Sequence, residues 1–349
     1  MNVCLITHYS KLGGANRSLL ALIDGLDSDT QHPTDCKTYV IAQEEGAVVD
    51  ELRARNIPTA VIAFPYAVHS ENTSRLRVLR TRLANAIRRV RILPDIQRQL
   101  RAWNIDIVHS NSLITDIGIR AARNASLPHV WHIREYGDLD YGLSPNAGWD
   151  RYVRQIASSE MVITVSQALA AYLRSKSSLP RCRVIYNGVV EASAADEKYA
   201  ACASSQIDEN APLFAILGTV MPTKGQDAAV RAIMHVRENY PHARLAIVGD
   251  GDMDWIRSVI RSEQATDAVD LWGYIDDPWE AYKQADAVLV CSEAEGMGRV
   301  TVEAMIAGVS VIGRDAGATS ELISHGRTGR LYASSADQLA AEMIHVLQH

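Results

Sequence analysis

Short runs of β-branched residues alternate with amphipathic stretches from one end of this chain to the other. That alternation leaves few folds open, because it is the pattern of parallel sheets covered by helices on both faces. The fold class is α/β. Predicted strands occupy residues 3–6, 38–41, 60–62, 105–108, 129–132, 162–165 and 183–186, and a second series covers 213–217, 244–248, 269–271, 287–290 and 309–312. Between the two series, residues 191–210 are rich in Ala, Ser and acidic side chains and poor in large apolar ones, the composition of a linker. The expected organisation is a first doubly wound domain over 1–190, a linker over 191–210 and a second doubly wound domain over 211–349. Open parallel sheets bind ligands beyond the carboxyl ends of their strands, so two such domains facing each other would hold a site in the cleft between them.

Composition excludes several other classes. With 349 residues, 47% of them hydrophobic, 22% charged and a net charge of -6, the chain has the balance of a soluble globular protein and not of a disordered one. Its longest uncharged stretch, 56–70, is interrupted by Pro58 and Pro65 and is shorter than the roughly 18 residues a spanning helix needs. The first residues lack the basic lead-in and cleavage site of a signal peptide. Cys4, Cys36, Cys182, Cys202 and Cys291 are odd in number and contain no Cys-x-x-Cys pair, which fits neither a disulfide framework nor a zinc site. A reducing cytoplasmic location is expected.

The segment richest in chemistry is 292–330, SEAEGMGRVTVEAMIAGVSVIGRDAGATSELISHGRTGR. Glu295 closes a strand-end loop, Gly296, Met297 and Gly298 allow a tight turn, and residues 299–307 have helical spacing. The loop therefore feeds a helix amino terminus, whose unpaired N–H groups and partial positive charge suit a phosphate. Glu295 and Glu303 could bind hydroxyl groups on either side of it. Taken alone, the pair reads more readily as a helix cap and a solvated helix residue.

Two glutamates separated by seven residues, followed by AMIAGVSVI and AGATSELI, resemble family 4 of the retaining glycosyltransferases. The resemblance extends through LGTVMPTKGQDAAVRA, IVGDGD, LWGYIDD and VIYNGV, and back to HYSKLGGANRSLLALI and HVWHIREYG, so it covers almost the whole chain. It implies the GT-B fold, two Rossmann-like domains, with a nucleoside diphosphate sugar bound mainly by the second and an acceptor mainly by the first. Glu303 then looks like the ribose-binding carboxylate and Glu295 like the one that contacts the donor sugar.

Lys224, in Pro222-Thr223-Lys224-Gly225-Gln226, lies after the strand at 213–217 and at a helix entrance, where it could grip a diphosphate; alone, it would read as a solvated loop lysine. The family pattern places an arginine directly after the strand glycine, whereas this chain has Thr219 after Gly218, leaving Arg299 and Arg314 as candidate replacements. Gly13 and Gly14 follow the first strand and permit close approach of backbone to a phosphate or sugar, or simply a tight turn. They do not form the Gly-x-Gly-x-x-Gly of a dinucleotide site. His132, at the end of a strand, resembles the family histidine that contacts the transferred sugar, and it is not assigned as a general base. Arg134, two residues on, could meet an anionic acceptor or the diphosphate. The backbone near Gly273 and Tyr274 is expected to read the base.

Short Asp-x-Asp pairs occur four times, at Asp27 and Asp29, Asp138 and Asp140, Asp250 and Asp252, and Asp252 and Asp254, too often to be diagnostic. No metal ligands and no cofactor are therefore assigned, since a lysine and helix termini can offset phosphate charge. Residues 75–101 hold nine arginines against one acidic residue, Asp95, and Leu76, Leu79, Leu83, Ile87 and Val90 step along one helical stripe. Such a helix either packs its stripe on the core or lies on an anionic membrane surface. Nucleic acid is not an expected partner, because no aromatic interleaving or RNA motif accompanies the arginines.

The expected activity is retaining, metal-independent transfer of a sugar from a UDP- or GDP-type donor to an acceptor hydroxyl. Glycan or lipid-linked acceptors of polysaccharide assembly, at the inner face of the membrane, fit the basic helix. The alternatives are a sugar-nucleotide-binding protein with impaired catalysis, or another GT-B enzyme such as a sugar-nucleotide epimerase.

Overall fold

The computed structural model describes residues 1–28, 36–203 and 211–349, which form two compact units, Met1–Gly188 and Val189–His349. The first unit contains β1 (Asn2–Thr7), α1 (Gly14–Ser28), β2 (Lys37–Ala42), α2 (Ala47–Ala54), β3 (Thr59–Val61), β4 (Val68–Ser70), α3 (Arg75–Ala102), β5 (Ile107–Ser110) and α4 (Ile117–Ala125). It continues with β6 (His129–Ile133), α5 (Asp138–Tyr141), β7 (Leu143–Pro145), α6 (Trp149–Ala157), β8 (Met161–Thr164), α7 (Gln167–Lys176) and β9 (Cys182–Val184). Seven strands pair in parallel in the order β3-β2-β1-β5-β6-β8-β9, while β4 and β7 form a separate antiparallel pair.

Adjacent residues of β1 point into opposite layers, as a parallel sheet buried on both faces requires. Val3 and Leu5 pack with Val40, Leu19, Ile23, Val49 and Leu52, whereas Cys4 and Ile6 pack with Ile41, Ile96, Leu100 and Ile117 on the other side.

The second unit opens with α8 (Ala192–Ala203), so a helix occupies much of the segment expected as linker; residues 204–210 lie outside the described residues. It continues with β10 (Leu213–Leu217), a 3₁₀ turn at Pro222–Lys224, α9 (Gln226–Val236), β11 (Arg244–Val248), α10 (Met253–Ser262), β12 (Val269–Gly273), α11 (Trp279–Tyr282) and β13 (Ala287–Val290). The final elements are α12 (Arg299–Ile306), β14 (Ser310–Arg314), α13 (Thr319–Leu322), β15 (Arg330–Tyr332) and α14 (Ala336–Gln348). Six parallel strands run in the order β12-β11-β10-β13-β14-β15. Phe214 and Ile216 face α9 and α14; Ala215 faces α11 and α12.

The strand order reverses between β1 and β5 in one sheet and between β10 and β13 in the other. Those are the switch points at which loops on either side splay apart and leave room for a ligand. The loops after β1 and β5, and after β10 and β13, carry most of the residues singled out from sequence.

Two sequence expectations change. The strand predicted at 105–108 is displaced to Ile107–Ser110, because the Ile105 N–H still closes the end of α3 on the Leu100 carbonyl. Packing of the α3 stripe on the core is also overturned: Leu76, Leu79, Leu83, Ile87 and Val90 are 49–75% exposed. The inner side of that half of the helix is polar instead. Buried Asn85 donates to the Tyr66 carbonyl (3.1 Å) and Arg89 pairs with Asp116 (2.9 Å), while the helix joins the core further on, through partly buried Ile92 and Leu93 and fully buried Ile96 and Leu100.

Candidate functional site

In the second unit, Lys224 and Glu295 come from the two loops of the switch point and meet at 2.9 Å, Nζ to Oε2, with side chains 18% and 20% exposed. Local backbone explains the meeting. Met221–Lys224 is a tight turn closed by Gly225 in a left-handed conformation (φ 72°), and a Cβ on Gly225 would lie 2.5 Å from the Cys291 carbonyl oxygen. A side chain there would drive the two loops apart. Gln226, wholly buried, holds the first loop by donating to the Thr219 carbonyl at 3.0 Å.

The Glu295 backbone is held from a third loop. The Ala318 N–H donates to its carbonyl at 3.0 Å, and Gly317 (φ 56°) packs so closely that a Cβ would lie 2.7 Å from the Glu295 nitrogen. Gly296, Met297 and Gly298 are buried, and Gly298 (φ 82°) turns the chain into α12. The first residue of α12, Arg299, thus lies four residues after Glu295, with the first N–H groups of the helix oriented along its axis.

Glu303 lies inside α12. Its carboxylate accepts from the Tyr282 hydroxyl (2.9 Å) and from Arg299 (3.2 Å), one helical turn back. The cations considered as substitutes for the family arginine are engaged: Arg299 also donates to the Val189 carbonyl, and Arg314 pairs with Glu293 at 2.9 Å. Thr219 is exposed. Tyr274, 58% exposed, follows β12, where the Gly249 N–H donates to the Gly273 carbonyl.

In the first unit, Gly13 and Gly14 lead from β1 into α1. Asn16 fixes this loop by accepting from the Thr7 hydroxyl (2.8 Å) and donating to the Tyr9 (2.6 Å) and Lys11 (2.8 Å) carbonyls. His132, near the end of β6, is buried beside Arg134, which donates to the Asn111 side chain (2.7 Å) and also bonds Asn187. Arg134 Nη2 lies 3.3 Å from His132 Nδ1. A guanidinium only donates, so Nδ1 accepts and the imidazole proton sits on Nε2. That Nε2 is buried with no hydrogen-bond partner. Burial, then Arg134 and His109, push the His132 pKa well below its ordinary value, so the ring is a neutral donor and a poor base.

Sequence reasoning named Arg134 for contact with an anion; the structure shows it orienting His132. It did not find Asn111, Asn187 or Tyr282, which act through contacts distant in sequence, nor Asn16 and Gln226, whose partners are backbone and side-chain groups of their own loops. Among the described residues, no group of three or more His, Cys, Asp or Glu is arranged to hold a metal ion; Asp29 lies outside them.

The family model described as Glycosyltransferase Family 4 matches residues 12–192, more than half of the chain, and that for glycosyl transferases group 1 matches 200–349. The chain belongs to glycosyltransferase family 4. An uncharacterized glycosyltransferase of Methanocaldococcus jannaschii is 27% identical over 252 residues, covering 67% of this chain and 64% of that protein. The phosphatidyl-myo-inositol mannosyltransferase of Mycolicibacterium smegmatis is 33% identical over 134 residues, 36% of this chain and 33% of the relative. The match thus spans less than two thirds of either relative's length. Anabaena HepE, solved in complex with UDP-glucose, superposes with a TM-score of 0.73 at 22% identity, covering 100% of this chain and 90% of that one. The fold of this family 4 member is GT-B.

Proposed function

We propose that this family 4 protein transfers a sugar from a nucleoside diphosphate sugar to an acceptor hydroxyl with retention of configuration and without a metal ion or other cofactor. The observation that carries the reading is the Lys224–Glu295 pair at the switch point, set beside the entrance of α12. The UDP and UDP-glucose complexes of Anabaena HepE support a donor of this type.

In this reading the diphosphate takes Glu295's place as partner of Lys224, and its remaining charge is met by the first N–H groups of α12. Glu295, released, accepts hydroxyl protons of the donor sugar, with the backbone of Gly296, Met297 and Gly298 beside it. Glu303 binds the ribose, and Tyr274 and its neighbours the base. His132 donates its Nε2 proton to a sugar oxygen, and Gly13 and Gly14 let a sugar or phosphate approach the backbone. The departing diphosphate oxygen takes the acceptor proton as the new glycosidic bond forms on the face the leaving group vacates. Incubation with a panel of UDP- and GDP-sugars, with and without chelator, tests this. Nucleoside diphosphate release that persists with chelator, and a product retaining the donor's anomeric configuration by NMR, are expected; inversion or a requirement for divalent cation would overturn it.

A second reading, sugar-nucleotide binding without turnover, is favoured by Thr219 together with the pairing of Arg299 and Arg314. Donor binding without hydrolysis or transfer to any glycan or lipid-linked acceptor would select it.

For the acceptor side we propose a peripheral position on the cytoplasmic face of an anionic membrane, as in polysaccharide assembly. No described helix is long and apolar enough to cross a bilayer, but the exposed leucine stripe of α3 among arginines suits its surface.

A further inference from the structure

Beside the leucine stripe, α3, α4 and α6 line a cavity of about 600 Å³ that contains none of the residues placed in the donor or histidine sites. Its wall holds six arginines, Arg82, Arg89, Arg120, Arg123, Arg151 and Arg154, against a single carboxylate, Asp116. Asp116 is already satisfied twice, by Arg89 at 2.9 Å and Arg120 at 2.7 Å. Arg154 pairs with Asp150 and Arg123 meets only the neutral Ser158 hydroxyl, while Arg82 and Arg151 have no hydrogen-bond or ion-pair partner among the described residues. Converging guanidinium groups repel one another, and an entering anion would relieve that cost while offering each planar guanidinium two acceptor oxygens.

The position of the cavity points to the source of the anion. Arg82, Ala86 and Arg89 each precede a member of the exposed stripe, Leu83, Ile87 and Val90, so the cavity wall and the stripe are neighbouring faces of one helix about 100° apart. A molecule with a phosphate at one end and hydrocarbon at the other fits both faces together.

We propose that this cavity receives the phosphate headgroup of an anionic membrane phospholipid whose chains lie against the α3 stripe. The assignment rests on the peripheral-membrane reading above and makes it specific: the headgroup is bound in a formed site and not merely attracted by diffuse charge.

Replacing Arg by Lys separates these cases, because charge is kept and two-pronged geometry is lost. The full chain is sedimented with phosphatidylcholine vesicles with and without phosphatidylglycerol. Arg123→Lys/Arg151→Lys should weaken binding to the phosphatidylglycerol vesicles about tenfold, while Arg77→Lys/Arg80→Lys, on the same helix but outside the cavity, should bind as the wild type does. Equal binding by both pairs overturns the proposal and leaves the membrane reading intact if Leu79→Ser/Leu83→Ser still abolishes sedimentation. A wild-type chain that does not sediment at all overturns both. Inorganic phosphate that raises the Tm of the wild type, with vesicle binding unaffected by the cavity pair, would assign the cavity to a soluble anion and also overturn the proposal. Donor hydrolysis measured without vesicles should be unchanged in every variant, which reports folding and keeps the glycosyltransferase reading separate.

Discussion

Lys224 and Glu295 form the contact from which the proposed chemistry starts, and a double-mutant cycle separates its catalytic from its structural worth. At 2.9 Å, two unit charges attract by about 6 kcal/mol at an effective dielectric constant near 20. With each side chain about one-fifth exposed, desolvation and screening offset most of this. Removing one partner should therefore cost about 1–2 kcal/mol, a Tm fall of about 2–8 °C for a unit of this size. Lys224→Met and Glu295→Gln should each show that fall, and the double variant should recover part of it, because neither group is then left without its counter-charge. Turnover should behave oppositely. Each single variant loses about 100-fold or more in donor hydrolysis, as expected for a group aimed at developing charge, and the double variant regains none of it. The assays are thermal unfolding and nucleoside diphosphate release on the same preparations. If the double variant recovers activity along with stability, the pair is structural and the proposed donor site is wrong.

Other perturbations probe the remaining parts. Gly317→Ala forces an L side chain into a left-handed conformation at about 1–2 kcal/mol and a Cβ against the Glu295 nitrogen, so kcat should fall more than Tm suggests; kcat unchanged from wild type would show that Glu295 needs no such support. His132→Gln should lower turnover about tenfold or more while leaving the pH profile unaltered between pH 6 and 8, since burial holds the native ring neutral there; a step near pH 6.5 that vanishes in the variant would instead make His132 a base. Acid should destabilise the first unit: burial holds His8 down to about 4 and His109 and His129 to about 3, so from pH 6.5 downwards the unfolded chain takes up protons the fold refuses. Glu135, raised by burial to about 7, opposes this, because its unfolded carboxyl ionises above 4.5 while the folded one stays protonated. These three imidazoles, with His132 held neutral in the same way, outweigh one carboxyl at about 1.4 kcal/mol per pH unit each, so Tm should fall by about 5 °C or more between pH 6.5 and 5; a Tm that holds or rises would refute the balance.

Much of the architecture was legible because buried parallel strands must be apolar on both faces, and few other elements write such short β-branched runs. The strands at 213–217, 244–248 and 287–290 coincide with the observed ones. β4 and β7 were not, since each is three residues long and their pairing joins positions more than 70 residues apart. The turn after Glu295 was readable because a glycine at 298 destabilises the chain unless its backbone needs a left-handed conformation, as it does here with φ 82°. The orientation of His132 was not, because nothing local predicts that Arg134 would reach back to its Nδ1 while holding Asn111 and Asn187.

The basic helix shows where periodicity stops being informative. A stripe at positions 76, 79, 83, 87 and 90 reveals that one face of α3 is apolar, but the same spacing arises whether that face meets the core or the outside. The deciding residues are the ones between. Asn85 and Arg89 make directed bonds to the Tyr66 carbonyl and to Asp116, contacts that exist only if their side of the helix faces inward. Burying the leucines would require rotating both polar groups to the outside and leaving the buried Asp116 with one guanidinium in place of two, a loss of about 1–3 kcal/mol for that bond alone. Roughly 1.5 kcal/mol or more per leucine would favour the rotation in water. Those two terms by themselves favour the rotation, so the observed arrangement also rests on the Asn85 bond to the Tyr66 carbonyl and on the core contacts of Ile96 and Leu100, and contact with an apolar phase would remove the opposing term. Polar anchoring of α3 and exposure of its stripe are thus two sides of one arrangement, and Asn85→Leu together with Arg89→Leu should let the helix turn inward, raising Tm while abolishing vesicle binding.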